Sequence, residues 1–427
     1  VIRGALFVGL SVLAGPSLLA SFGCNPEAPQ STGGVDLGET AGSDGESCGR
    51  GVAVLMSDYA STNVALLDID GKTHSGSFLS SGSTEVLLSA PLSGDVVFPN
   101  SRMTDELVLL DRFPASVLSF VDVESSEVRT QLSVRTGFDA NPQDYLPLDG
   151  SRALVSRLEK NRSPGAEPYD EGDDLLVLDT EQGEVLSRVS FSELLEGEGR
   201  ARPTALVRAG DTVLVSLTGH DATFSDAAPA RIAVLDSEEL TILDSFEVEG
   251  MKNCGGLSLS PSGNRLSVDC SGLADNANGA TPLWSGLVVF ESVPDSWVES
   301  HRFASESLGF GPFAYASSFA SETQLLSATF GALEGEDQGR PDRLVRIDLD
   351  ESEVSELLRS SDEVPQVERA FVLGSVLCVP GCEVCFATDA GRRVVHRFET
   401  SEAQWSEPSE IRIDSEVELP PRQLGWF

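Results

Sequence analysis

From residue 52 onward, runs of apolar and β-branched residues each end in one acidic residue, pause at a polar turn and resume as a second run. The pattern occurs as Ala65-Leu66-Leu67-Asp68, Ser119-Phe120-Val121-Asp122, Leu176-Val177-Leu178-Asp179, Ala233-Val234-Leu235-Asp236, Val288-Val289-Phe290-Glu291, Val345-Arg346-Ile347-Asp348 and His396-Arg397-Phe398-Glu399. The successive acids lie 54, 57, 57, 55, 57 and 51 residues apart. Short β-rich runs bounded by turn residues read as strands. Turns such as Glu181-Gln182-Gly183 and Ser237-Glu238-Glu239 lead into further strands at 185–189 and 240–246. Upstream hairpins turn at Leu148-Asp149-Gly150-Ser151, Arg208-Ala209-Gly210-Asp211 and Ser260-Pro261-Ser262-Gly263-Asn264.

Each repeat therefore holds four strands, and seven such repeats predict an all-β, seven-bladed β-propeller of four-stranded antiparallel blades. Blade one, residues 52 to about 80, has only three strands, while residues 421–427 read as a solitary inner strand. The C-terminal strand is expected to complete blade one and close the ring, leaving no open sheet edge. The chain resembles the YVTN/WD40-like propellers of exported bacterial proteins over residues 52–427. Segments such as Ala153-Leu154-Val155-Ser156 and Val213-Leu214-Val215-Ser216 stand where the YVTN tetrapeptide would, and there is no Trp-Asp dipeptide. The resemblance implies a fold and carries no substrate.

The first residues read as an export signal, with Arg3 before an apolar stretch over 5–22 that Gly15-Pro16 interrupts. Ser21-Phe22-Gly23-Cys24 resembles a bacterial lipobox, with Gly23 and Cys24 matching, which implies lipidation of Cys24. Asn25 after that cysteine points to the outer membrane of a Gram-negative bacterium. The division expected is 1–24 signal peptide, 25–50 flexible tether rich in Pro, Gly, Ser and acid, and 51–427 propeller. A tether of that length spans roughly 25 to 30 Å.

Composition narrows the partners. The 427 residues are 40% hydrophobic, and 29 Lys+Arg against 68 Asp+Glu give a formal charge of -39. Such a charge repels nucleic-acid phosphates and anionic head groups, so nucleic acid is excluded as a partner and membrane contact is expected only through the lipid anchor. Setting Cys24 aside leaves six of the seven cysteines, an even number suited to disulfides in an oxidising compartment. Cys254 and Cys270 stand eight residues either side of Ser262, so a hairpin places them opposite each other. A Cys378–Cys385 cross-strand bridge with Cys48–Cys382 between neighbouring blades accounts for the rest. A four-cysteine zinc site with Cys48 is the competing arrangement. The C-x3-C-x2-C spacing of Cys378, Cys382 and Cys385 is rejected as an iron–sulfur motif, because it sits on a late hairpin of an exported β-protein.

Turns after the first and third strands are short, whereas the connections after the second strand swell in blades three to six, at 161–173, 219–230, 271–285 and 331–342. They should gather as a crown over one end of the channel, and long loops on a rigid scaffold are where binding resides. The candidate binding residues are Tyr169, Asp170, Asp173, His220, Asp221, Asp275, Trp284, Glu336, Asp337 and Arg340, with Glu171, Asp226, Asn276 and Glu334 beside them. Aromatics with acids and amides suit glycans, cationic proteins or calcium, although acidic loops are expected anywhere in so acidic a chain. The Cys48–Cys382 staple would put the tether on the opposite face.

No catalytic residue is assigned. His74, His301 and His396 fall in or beside strands, His220-Asp221 is the one pairing in the crown, and there is no G-x-S-x-G, H-E-x-x-H or phosphate loop. The expectation is a monomeric, envelope-anchored binding module for an envelope or extracellular protein or glycan, with no cofactor except calcium. The alternative is a lactonase-like propeller hydrolase with a carboxylate-rich, metal-assisted channel.

Overall fold

The computed structural model describes residues 35, 37–40, 48–83, 88–104, 106–195, 199–273, 283–294, 296–331, 340–360, 372–379, 381–401, 405–413 and 417–427. The signal, Cys24 and most of the tether lie outside them. The described strands form seven four-stranded antiparallel sheets, one per repeat.

The repeat follows from burial. The second and third strands of blade one, Val52–Ser57 and Thr62–Leu67, are buried along their whole length, because each blade is covered on both faces by its neighbours. Outer strands such as Glu184–Ser190 are mostly exposed or half-buried, so they read as polar. The recurring acid has a local cause: it caps the turn that follows. Asp179 Oδ1 accepts from the backbone N–H of Glu181 (3.0 Å) and Gln182 (2.9 Å), and Asp236 Oδ1 from those of Glu238 (2.8 Å) and Glu239 (2.7 Å). These hydrogen bonds hold both carboxyls below the usual range.

The ring closes as expected. The C-terminal strand Pro421–Trp426 pairs antiparallel with Val52–Ser57 from Val52↔Trp426 to Met56↔Pro421 and becomes the inner strand of blade one. Beside this seam lies the Cys48–Cys382 disulfide, joining blade one to blade seven. Trp426 Nε1 donates to Cys48 O at 2.9 Å. Cys254–Cys270 and Cys378–Cys385 are cross-strand bridges within blades five and seven. All three bridges match the expected set, Cys254–Cys270 as hairpin spacing suggested and the other two as the pairing that accounts for the remaining cysteines, so the zinc arrangement falls away. Disulfides mark an oxidising, exported environment.

Blades are also tied to one another. Asp144, on the inner strand of blade three, accepts from the N–H of Asn100 (2.9 Å) in blade two and of Leu206 (2.7 Å) in blade four. Burial pushes its carboxyl up to about 7. Part of the segment before the ring is folded as well. Leu37 is buried in the core between blades one and two, and Val35 N–H donates to Val123 O at 3.1 Å. Val123 and Cys382 both belong to the short-turn face, so Val35 and Cys48 are held on the side opposite the crown. No helix among the described residues is long and apolar enough to cross a membrane.

Candidate functional site

The four long connections lie between the second and third strands of blades three to six and so share one face. Their described parts adjoin in sequence around the ring. Asp275, Glu336 and Asp337, with Asn276 and Glu334, lie outside the described residues, and Arg340 stands at the edge of such a stretch.

The candidate crown acids among the described residues, Asp170, Asp173 and Asp221, serve the scaffold. Asp170 accepts from the N–H groups of Gly165 (2.8 Å), Ala166 (2.8 Å) and Glu167 (3.1 Å), which folds its loop around the carboxylate and lowers its pKa. Asp173 receives the N–H groups of Ala201 and Arg202 and ties blade three to blade four. Burial outweighs those bonds and raises its carboxyl. Asp221 does not orient His220. Its carboxylate takes the N–H groups of Thr223 and Ser225 at 3.0 Å and both hydroxyls at 2.9 Å. Although burial opposes it, those hydrogen bonds hold Asp221 well below the usual carboxylate range. His220 is buried with Nδ1 unpartnered, its ring tilted against Phe224 at 5.3 Å, and burial lowers its pKa. The Tyr169 hydroxyl donates to Leu186 O at 2.9 Å.

Two arginines that sequence reasoning did not single out lie beneath these loops, both fully buried. Arg157 forms a two-point pair with Asp174 at 2.7 and 2.8 Å and also donates to Tyr169 O at 2.8 Å. Arg202 donates to Glu159 (3.0 Å), His220 O (3.2 Å) and Asp221 O (3.0 Å), beneath the Phe224 ring at 3.7 Å. Lys252 joins the next two loops: its Nζ meets Asp226 at 2.8 Å and lies 4.9 Å from the Trp284 ring. Among the described residues no three His, Cys, Asp or Glu side chains are grouped to hold a metal.

What the crown face offers a partner is aromatic. Five large aromatic side chains stand exposed among the described residues: Tyr59 (71%), Phe113 (54%), Tyr315 (46%), Trp284 (43%) and Phe224 (38%). Tyr59, Phe113, Phe224 and Trp284 lie in connections between second and third strands, and Tyr315 near the start of an inner strand, so all five belong to the crown end of the molecule. Singly placed exposed aromatics are ordinary; here five of them share one end of the molecule.

Along the axis runs a cavity of about 630 Å³ walled by the inner strands of all seven blades. Its charged lining is Arg102, Arg112, Arg208 and Arg422 with one carboxylate, Asp95, so among the described residues the expected carboxylate-rich channel is not there. Asp95, Arg102 and Arg112 belong to blade two, Arg208 to blade four and Arg422 to blade one, and only the closed ring brings the three blades together, which hid this group from spacing arguments. Asp95 is taken by Arg112, whose Nε donates to it at 3.0 Å. Arg422 Nε donates to Ser57 O at 3.2 Å, and its guanidinium lies 5.0 Å from the Tyr59 ring.

No protein-family model matches the chain, and no curated protein matches it. Fold and site together define a disulfide-braced, seven-bladed β-propeller with one elaborated face. Its backbone is similar to a protein from Lactobacillus plantarum, with TM-score 0.58, 10% identity, and coverage of 88% of this chain and 98% of that one. It is also similar to a putative 6-phosphogluconolactonase from Bacteroides fragilis NCTC 9343, with TM-score 0.53, 12% identity, and coverage of 87% and 96%. Hydrazine synthase of Kuenenia stuttgartiensis matches with TM-score 0.53, 12% identity, and coverage of 75% and 80%. Identities this low show a shared propeller fold alone.

Proposed function

We propose that this propeller is an envelope-anchored binding module, tethered through a lipidated Cys24 at the outer membrane, whose crown face takes an extracellular or envelope protein or glycan. The observation that carries the reading is the gathering of the exposed aromatics Tyr59, Phe113, Phe224, Trp284 and Tyr315 at that end. The exit of the tether from the opposite face, beside Cys48 and Val35, supports it by pointing the aromatics away from the anchor. Aromatic anchors held on rigid, internally bonded loops bind at low entropic cost. The test is photo-crosslinking in the intact envelope from a probe at position 224 or 284, beside one at Val293 on the short-turn face. The expected result is a discrete adduct from the crown positions alone; equal labelling from Val293, or none from the crown, sinks the reading.

A second reading is a hydrolase. The axial cavity favours it by offering room for a small molecule, and one protein of similar fold is a putative 6-phosphogluconolactonase. Lactone hydrolysis by the purified protein, abolished by a chelator, would support the metal-assisted version.

A further inference from the structure

The channel reverses the charge balance of the chain. Acids outnumber bases 68 to 29 overall, yet among the described residues the cavity wall carries four arginines and one aspartate. That aspartate is already paired with Arg112. Arg102 has Glu39 at 3.8 Å and lies 4.8 Å from the Trp426 ring near the short-turn end. Arg208 is anchored on the carbonyls of Leu148 (2.8 Å) and Gly210 (3.2 Å) at the same end. Arg422 lies at the crown-face mouth and makes no ion pair with any described residue; its anchors are Ser57 O and the Tyr59 ring.

We propose that the mouth of the axial channel binds a small hydroxylated organic anion, with the Arg422 guanidinium receiving its carboxylate or phosphate. The cavity, about 630 Å³, has the size of a small-molecule site. One Arg422 nitrogen is fixed to Ser57 O, while the others make no hydrogen bond to any described residue, the state of a preorganised fork that matches a planar or tetrahedral oxyanion. The Tyr59 ring, beneath the guanidinium, and the Tyr315 ring give stacking faces for a sugar ring or other flat body. Hydroxyls at Ser258 and Ser375 line the wall for the neutral part of the ligand. Asn100 Nδ2 donates to Leu257 O at 2.7 Å, bridging blades two and five across the axis and setting a floor. The surface acids do not cancel this attraction, because charges more than about 8 Å away are largely screened at physiological salt, while groups within the channel are not. The site shares Tyr59 and Tyr315 with the aromatic face proposed for the crown partner and adds a second, small-molecule ligand at the centre of that face.

The test is calorimetric titration of the full-length protein with sodium glucuronate, inorganic phosphate and glucose. Saturable binding of glucuronate or phosphate is expected, with glucose at least about tenfold weaker. Glucuronate alone identifies a carboxylated ligand, and phosphate a phosphorylated one. Arg422→Gln should weaken the bound anion by about tenfold or more, and Tyr59→Ala by a smaller factor. Arg422→Lys, which keeps the charge and loses the fork, should fall between the two and serves if the Gln variant does not fold. Absence of binding by both anions, glucose binding as well as they do, or unchanged affinity in folded Arg422→Gln or Arg422→Lys would overturn the proposal. Crosslinking from positions 224 and 284 reads the crown partner separately, so either idea can fail alone.

Discussion

Two groups of arginines at the crown end are built in opposite ways. Under the loops of blades three and four, Arg157 and Arg202 are fully buried and engaged by carboxylates and carbonyls on several sides. At the channel mouth, Arg422 has one backbone anchor, one aromatic neighbour and no carboxylate among the described residues. A buried cation that is fully paired has nothing left for a ligand and serves to hold the loops; a partly held, unpaired one keeps its interaction energy in reserve. The same division applies to acids. Asp170, Asp173 and Asp221 are consumed in folding the crown, so the abundance of carboxylates there says little about ligands.

The comparison is most severely tested at Arg157. Arg157→Met leaves Asp174 fully buried with only Arg188 nearby, at 3.2 Å, and should cost about 3–5 kcal/mol in denaturant unfolding. A loss below about 1 kcal/mol would mean the pair is not the keystone that its geometry implies.

A second test uses acids buried without a cation. Burial pushes Asp269 up to about 7; it accepts from the Ser317 hydroxyl at 2.6 Å, and its Oδ1 has no partner. Because its folded pKa is raised above the ordinary value of 3.8, the folded state holds the proton more tightly. The resulting stability is fully present below that ordinary value and is lost as pH rises through about 7. Unfolding free energy should therefore fall between about pH 4 and pH 8, and Asp269→Asn should flatten the decline by roughly 4 kcal/mol. Parallel profiles for the two proteins would contradict this assignment.

Smaller effects sharpen the contrast. Asp221→Ala removes a loop cap and should cost about 1–2 kcal/mol, seen as faster proteolysis within 221–226 with the global unfolding midpoint little changed. Arg422→Gln should alter stability by less than about 0.5 kcal/mol while weakening anion binding by about tenfold or more, the reverse of Arg157→Met.

The sequence shows the blades because one local device repeats: an aspartate at the end of the third strand caps the next turn, as at Asp122, Asp179 and Asp236. Hairpin symmetry exposes the Cys254–Cys270 pairing, and loop length exposes the crown. The channel is illegible for a physical reason. Arg422, Tyr315 and the Asp95–Arg112 pair belong to blades one, six and two and meet only when the ring closes, so no spacing relates them. Arg157 and Arg202 are hidden differently, since a charged residue in a strand looks solvated until its buried partners are known.

The seam between the first and last blades also fixes an order in time. A polypeptide made from its N-terminus forms the strand Val52–Ser57 early, yet that strand's inner partner is Pro421–Trp426, more than three hundred residues later in synthesis. Until then blade one carries a naked, apolar edge open to pairing with other chains. Completion of the ring, and with it assembly of the channel mouth around Arg422, is therefore deferred until all seven repeats have emerged: the molecule cannot acquire its axial site before the last of them has been delivered.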